Sequence, residues 1–527
     1  MQAVSATSIT LQSVTYGVAS TSTGTPTITK VLNNSSQTPA GFPNYGIAPS
    51  SIFIVQGNAL ADMAELVLQS SAAPGLPLTL NGASISATVS GVTVRPALYY
   101  TSPGQLAAVL PASTPAGTGT ITVTHNGVAS APAPLQVVPS AVGFNMYNGK
   151  LGVATDGATG ALLTFTNSGS PEQIIVLWAT GLGANAADSD SIFTTTPHAV
   201  NTAMQIYVGG VLANILYQGS AGYPGVNQIN IVIPDTAPSG CWVPVAAVTG
   251  AIVSNVVTIP IKRGGGVCAD AQSGLTGDQI SPPGTQAIRT GLVGLIQTDN
   301  VNSRGVRSMT TSADAAFQRY AGIFTPTNSV SSGGCILNDL MPPPIGGFTG
   351  LDPGTITLTG PSGTPVTLAT QGGLRGAFFA NLATGFIPSS GGTFTFRGSG
   401  GADVGSFTSA ITLTNPLLTW TNPSAAATID RTRGLPVTWI GGNAGSIVFI
   451  TGTSIVPGTT NVAGYTCAAP VEAGQFTVPA YILLELPVGS GGTQVQNYVT
   501  APLVASGLDI AMAIADVTYS VPSSYTR

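Results

Sequence analysis

Any general-base or metal chemistry in this chain must begin with its two histidines, His125 and His198, or with its 19 acidic residues. A Ser-His-Asp arrangement is compatible with that count, but no GxSxG elbow occurs to present a serine nucleophile. His125 stands in TVTHNGVA, directly before Asn126-Gly127, a dipeptide that marks a tight hairpin turn, so it reads as a turn-edge residue. The densest acidic spot is Asp188 and Asp190 in GANAADSDSIF. Two carboxylates two positions apart, with Asn185 nearby, offer oxygen ligands to Ca²⁺, yet the DxDxDG…E loop is missing, and a solvated polar loop is expected instead. Glu65, Glu172, Glu472 and Glu485 lie in four separate segments, so no acid and base pair is visible. Lys30, Lys150 and Lys262 all fall outside GxxxxGK[ST], which excludes a phosphate loop. No catalytic, cofactor-binding or metal-ligating residue is assigned, and the expectation is a protein that is not an enzyme.

The four cysteines, Cys241, Cys268, Cys335 and Cys467, form neither CxxC nor CxxCH, so zinc-ribbon and haem-attachment readings fail. Three disulfide connectivities exist. Cys241 and Cys268 flank one expected strand, which favours that pair and leaves Cys335 with Cys467. The alternative is four buried thiols. Closing the two loops would contribute about 3.6 and about 5 kcal/mol as upper bounds. Disulfides imply an oxidising compartment, extracellular or periplasmic. Trp178, Trp420 and Trp439 sit among β-branched or Leu neighbours and Trp242 follows Cys241, so core packing is expected rather than an exposed row for stacking sugars.

Composition narrows the function classes further. Only 6% of the 527 residues are charged, against a usual ~25%, while 43% are hydrophobic and 67 are glycine. Disorder requires the opposite balance. So few charges protect sheet edges poorly against association: either serine and threonine hydration suffices, or much of the surface is covered by neighbours. The net charge of −5 and the scattered basic residues give no footprint for nucleic acid. No run of ~18 apolar residues is present to span a membrane as a helix. Met1 is followed by QAVSATSIT, without a basic or apolar leader, and a signal peptide already removed is expected.

The elements that would position these residues are strands. IIVLWATGLG (174–183), YVGGVLANILYQGSAGYPGVNQINIVIP (207–234) and PSGCWVPVAAVTGAIVSNVVTIPI (238–261) are β-branched and aromatic runs broken by turn formers. A weaker copy lies upstream: LYYTSPGQLAAVLP (98–111) overlays LYQGSAGYPGVNQINIVIP (216–234), with Leu98-Tyr99 on Leu216-Tyr217, Gln105 on Gln228 and Pro111 on Pro234. Two tandem β-domains of one type follow, over 29–138 and 139–263. ADMAELVLQ (61–69) is the one short helix candidate in the first.

These repeats resemble the tandem immunoglobulin-like (IPT/TIG-related) module of secreted, mostly uncharacterised acidobacterial proteins. The resemblance is carried by IAPSSIFIVQGNALA (47–61), LYYTSPGQLAAVLP (98–111), VLWATGLG (176–183), PGVNQINIVIP (224–234) and GCWVPV…SNVVTIPI…C (240–268), and it covers roughly residues 30–268. Residues 269–527 also look like the region that follows the module in such proteins. The resemblance implies a secreted β-sandwich scaffold and brings no catalytic residues.

The expected fold class is all-β, with tandem immunoglobulin-like sandwiches in an elongated array. Beyond the two modules, 264–345 is expected to hold a linker and β-rich region, and 346–422 and 423–527 two further sandwich regions or one joint domain. In VRSMTTSADAAFQRYAGIF (306–324), strand is favoured over a short helix at 314–320. Both chain ends carry strand-grade segments in which the apolar face switches: Ile9 and Leu11 against Val14, Tyr16 and Val18, and Leu508 to Ile514 against Val517, Tyr519 and Val521. Residues 1–28 read either as the first strand of their own domain or as a donated strand, with Ile9, Leu11, Val14, Tyr16 and Val18 filling a neighbour's core. The function expected is therefore an extracellular or cell-surface structural subunit whose partners are identical copies. The alternative is a monomeric adhesive or carbohydrate-binding protein whose partners are glycans.

Overall fold

Strict alternation decides the architecture. Ala83–Val89, ASISATV, buries every second residue, and Phe407–Leu413, FTSAITL, does the same, as strands with one covered face must. The computed structural model describes residues 24–147, 151–270, 274–281, 287–320, 330–338, 348–459 and 462–527. The chain is all-β with tandem immunoglobulin-like sandwiches. It separates into two compact units, one of residues up to 237 with 244–259 and 263–265, the other of 238–243, 260–262 and 266–527.

The first unit holds two sandwiches. In the first, a sheet ordered Thr27–Asn33, Ile52–Asn58, Gln105–Val109, Ala97–Thr101, Glu65–Leu66 faces one ordered Ala133–Val137, Gly117–His125, Ala83–Val89, Val92–Val94. Phe53, Val55, Ile85, Leu98, Leu106, Ile121 and Val123 fill the space between them. Thr27 and Ile28 belong to this sandwich, so a boundary at residue 28 cuts through a strand. Residues 61–69 are not helical. Glu65 and Leu66 pair with Thr101 and Tyr100, and the Val67 N–H continues the ladder to the Tyr99 carbonyl. A helix of two turns at most has little intrinsic stability, and the sheet edge wins the segment.

In the second sandwich, Gly143–Phe144, Ile174–Thr180, Asn227–Val232 and Asn214–Ser220 form one sheet, with Gly240–Thr249 and Val257–Ile261 central to the other. The internal repeat is visible as geometry. Ala97–Thr101 pairs with Gln105–Val109 and Asn214–Ser220 pairs with Asn227–Val232, both antiparallel and both bulged near the matched Leu-Tyr.

The second unit is organised by long strands. Its largest sheet runs Cys335–Asn338, Val462–Pro470, Ile447–Ile455, Gly489–Pro502, Ile510–Thr526, Ile288–Val301, Arg307–Tyr320, Ala377–Leu382, Ala369–Thr370. One face of it buries Val293, Leu295, Ala313, Phe317, Ala515 and Val517 against Ile356, Leu358, Phe394, Phe396, Phe407 and Ile411 of a four-stranded sheet. That smaller sheet is ordered Pro365–Thr367, Ile356–Thr359, Gly392–Gly398, Phe407–Leu413.

The β-rich part of 264–345 supplies two 14-residue strands to the main sheet, and strands from 346–422 and 423–527 join the same sheet. The long alternating runs at 288–301 and 307–320 pair without a register shift, which settles 314–320 as strand. Ile510–Thr526 is likewise one unbroken strand. The apparent switch at Asp516 arises because both faces of the strand carry apolar residues. Ala513, Ala515 and Val517 point into the core and Met512 and Ile514 point the other way.

Candidate functional site

The loop after Ile174–Thr180 is the strongest sequence-derived candidate, and it closes on itself. Gly181 turns at φ +95, and a side chain there would run its Cβ into the Ala141 carbonyl oxygen. Asn185 Nδ2 then donates to Asp188 Oδ2 at 2.6 Å, and Asp188 Oδ1 meets His198 Nδ1 at 2.6 Å. Both oxygens of Asp190 accept from the Ala112 N–H, at 3.0 and 3.1 Å, so this carboxylate ties the second sandwich to the first. Burial pushes the Asp190 carboxyl above its ordinary range, the Ala112 N–H opposing it.

A solvated loop is therefore not what forms: Asp188 is only 15% exposed and both carboxylates are spent on protein donors. The adjoining cavity, lined by Ser50, Asn185, Asp188, Ser189, Ser220 and Asn227 among others, is about 20 Å³, room for one water. No group of three or more His, Cys, Asp or Glu suited to a metal ion exists among the described residues.

His125 sits at the expected hairpin, where Asn126 and Gly127 turn at φ 49 and 81. It is buried rather than superficial, with Nε2 2.8 Å from Asp62 Oδ1, and Asn126 Nδ2 donates to the same oxygen at 2.9 Å. The His125 hydrogen bond, then that of Asn126, holds the Asp62 carboxyl below its ordinary range. Trp242, Trp420 and Trp439 are core residues; the indoles of Trp420 and Trp439 donate to Asn422 Oδ1 and the Val471 carbonyl. Trp178 is half-buried and donates to Thr155. Cys241 pairs with Cys268, and Cys335 with Cys467, the latter two directly opposite each other on neighbouring strands. Ile9, Leu11, Val14, Tyr16 and Val18 lie outside the described residues.

Two surface features escape residue-by-residue reading. The first is the edge of the first sandwich, where Glu65–Leu66 is the outermost strand and Met63, Leu66 and Leu68 are 52%, 45% and 78% exposed. The second is the outer face of the four-stranded sheet in the second unit. Cross-strand register sets Thr357, Arg397 and Thr408 in one row and Thr359, Thr395 and Ala410 in the next, with Thr393 and Thr412 hydroxyls 3.0 Å apart beyond them. The threonine spacing of ITLT, GTFTFR and FTSAITLT holds the signal, once the runs are known to be adjacent strands facing outward.

No protein-family model and no curated protein matches the chain. Among solved structures, SGBP-B of a Bacteroides ovatus mixed-linkage glucan utilization locus aligns over 43% of this chain at 11% identity and TM-score 0.20. That alignment spans 45% of the glucan-locus protein, under half its length. A tetra-tandem repeat from the extending region of a large adhesion protein aligns over 94% of this chain and 99% of its own, at 13% identity and TM-score 0.14. The titin immunoglobulin tandem A164–A165 aligns over 41% of this chain and 91% of its own, at 11% identity and TM-score 0.12. At these values the chain is similar to them in its sandwich construction alone.

Proposed function

We propose that the chain is a subunit of an extracellular homopolymeric assembly, a filament, sheath or layer, and that it works by contact rather than catalysis. The observation that supports this best is the edge at Glu65–Leu66, which no further strand pairs with among the described residues. A sheet edge offers unpaired N–H and C=O groups to another strand, and natural edges are usually guarded by charge, proline or a bulge. Among the described residues Met63, Leu66 and Leu68 are exposed along this two-residue edge, with Asp62 and Glu65 its charged side chains, in a chain whose residues are only 6% charged. An incoming strand from an identical copy gains main-chain hydrogen bonds and covers those side chains. Residues 1–23, with Ile9, Leu11, Val14, Tyr16 and Val18, are the proposed donor; repeated without closure, the contact builds a fibre or sheet.

Two disulfides fit an oxidising, extracellular compartment. Deletion must stop at residue 23, because Thr27–Asn33 is a strand of the first sandwich. Electron microscopy of the full chain is expected to show regular polymers, and the 1–23 deletion dispersed particles. A full chain that stays monomeric overturns the assembly, and a deletion that still polymerises overturns the donated strand. The second reading, a monomeric glycan-binding surface protein, is favoured by the hydroxyl-lined face around Arg397.

A further inference from the structure

From that face we infer a binding site for a carboxylate-bearing saccharide, of the uronic acid type, centred on Arg397. The hollow is open and about 460 Å³, lined by Thr355, Thr357, Arg397, Ser399, Ser406 and Thr408, with Gly398 and Phe407 completing it. Its polar groups form a grid. Thr357, Arg397 and Thr408 are direct cross-strand partners, and Thr355, Ser399 and Ser406 lie just beyond the ends of those three strands, where the Thr355 N–H donates to Ser399 Oγ at 2.9 Å. Pleated-sheet geometry sets Thr357, Arg397 and Thr408 about 4.8 Å apart from strand to strand.

Chemistry selects the ligand. Arg397 is exposed and forms no ion pair among the described residues, whereas Arg263, Arg307, Arg375 and Arg433 each hold an aspartate. A guanidinium presents a planar fork that matches a carboxylate with two parallel hydrogen bonds. The surrounding hydroxyls donate and accept at once, which suits the mixed hydroxyls of a sugar. Among the described residues no carboxylate lines the hollow. Asp352, on the loop leading into the sheet, is turned to the N–H groups of Gly354 and Ala402. Nor, among the described residues, does the lining hold an exposed aromatic ring for stacking a neutral sugar, since Phe407 is 5% exposed and packs 5.7 Å from Phe317 in the core. Recognition here must rest on charge and hydroxyls. This site does not depend on self-assembly: a monomer would carry it unchanged, and in a polymer it would tether the assembly to an acidic polysaccharide.

Affinity electrophoresis of the full chain through gels containing polygalacturonate, dextran sulfate or dextran tests the assignment. Retardation by polygalacturonate alone is expected. Arg397→Ala should weaken it at least about tenfold, as loss of a charge-assisted bidentate pair does. Arg397→Lys should weaken it partially, and Thr408→Val, which keeps the β-branched shape without the hydroxyl, several-fold. Arg319→Ala, an exposed arginine on Arg307–Tyr320, should leave it unchanged. Unaltered retardation of Arg397→Ala, or an equal loss in Arg319→Ala, overturns the site. Equal or stronger retardation by dextran sulfate or dextran overturns the carboxylate assignment. Position 397 is exposed on its strand, and unchanged thermal unfolding of each variant keeps a binding loss separate from a folding defect.

Discussion

Tyr465 lies flat against Gly452, its direct partner across the antiparallel pair Ile447–Ile455 and Val462–Pro470, and the ring occupies the space a side chain at 452 would need. Tyr465 is fully buried, so the ring has nowhere to retreat. Gly452→Ala is therefore expected to cost about 3 kcal/mol, at the upper end of overpacking substitutions. Gly492→Ala, where a new Cβ would meet only the Val521 carbonyl at 3.4 Å, should stay within about 1 kcal/mol. Urea midpoints of the two variants compare the effects, and equal midpoints would show that the ring can move.

Asp516 makes the second unit lose stability as pH rises. Desolvation, with the charge of Asp314 added, pushes its carboxyl up to about 7 against an ordinary 3.8, the Thr518 hydroxyl at 2.9 Å opposing the shift. The folded state thus favours the protonated form. Its contribution is complete below about pH 4 and is lost progressively as pH climbs to about 7. Asp516→Asn should flatten that slope and stabilise the protein at pH 8 on the order of 2 kcal/mol. Glu485, buried and also raised well above its ordinary value by desolvation, adds a slope of the same sign. A stability curve from pH 4 to 8 that is identical in Asp516→Asn and the parent would refute the assignment.

Local alternation, turn dipeptides and the internal repeat made the first unit legible, because each of its sandwiches is built from neighbouring segments. The second unit was not legible in its boundaries. Its main sheet pairs Ile288–Val301 with Ile510–Thr526, strands separated by more than 200 residues, and strand sequence does not encode its partner. The same limit hid the Arg397 hollow, whose six polar side chains come from three strands and their flanks. Asp188 and Asp190 were found by proximity, but their roles depend on His198 and on Ala112, which sequence spacing does not bring together.

The two disulfides should differ in weight. Cys335–Cys467 spans 132 residues and Cys241–Cys268 only 27, which gives loop-entropy ceilings of about 5 and about 3.6 kcal/mol. The double variant Cys335→Ala/Cys467→Ala is expected to lose more stability than Cys241→Ala/Cys268→Ala. Guanidinium unfolding without reductant measures both, and the reverse ranking would mean that denatured-state constraint does not dominate.

Asp190 should act as a clip between the sandwiches of the first unit and not as a calcium ligand. Asp190→Ala removes the acceptor of the Ala112 N–H, an expected loss of about 1–2 kcal/mol if that group stays out of water. Amide exchange at Ala112 should quicken in the variant, while amides of the Ala83–Val89 strand in the first sandwich's other sheet keep their protection. Millimolar Ca²⁺ or EDTA should leave the melting temperature of the parent unchanged, because His198, Asn185 and the Ala112 N–H already occupy the oxygens a cation would need. A ligand that binds only the folded state must raise that temperature. A rise with Ca²⁺ that vanishes in Asp190→Ala would therefore replace the clip with a metal site.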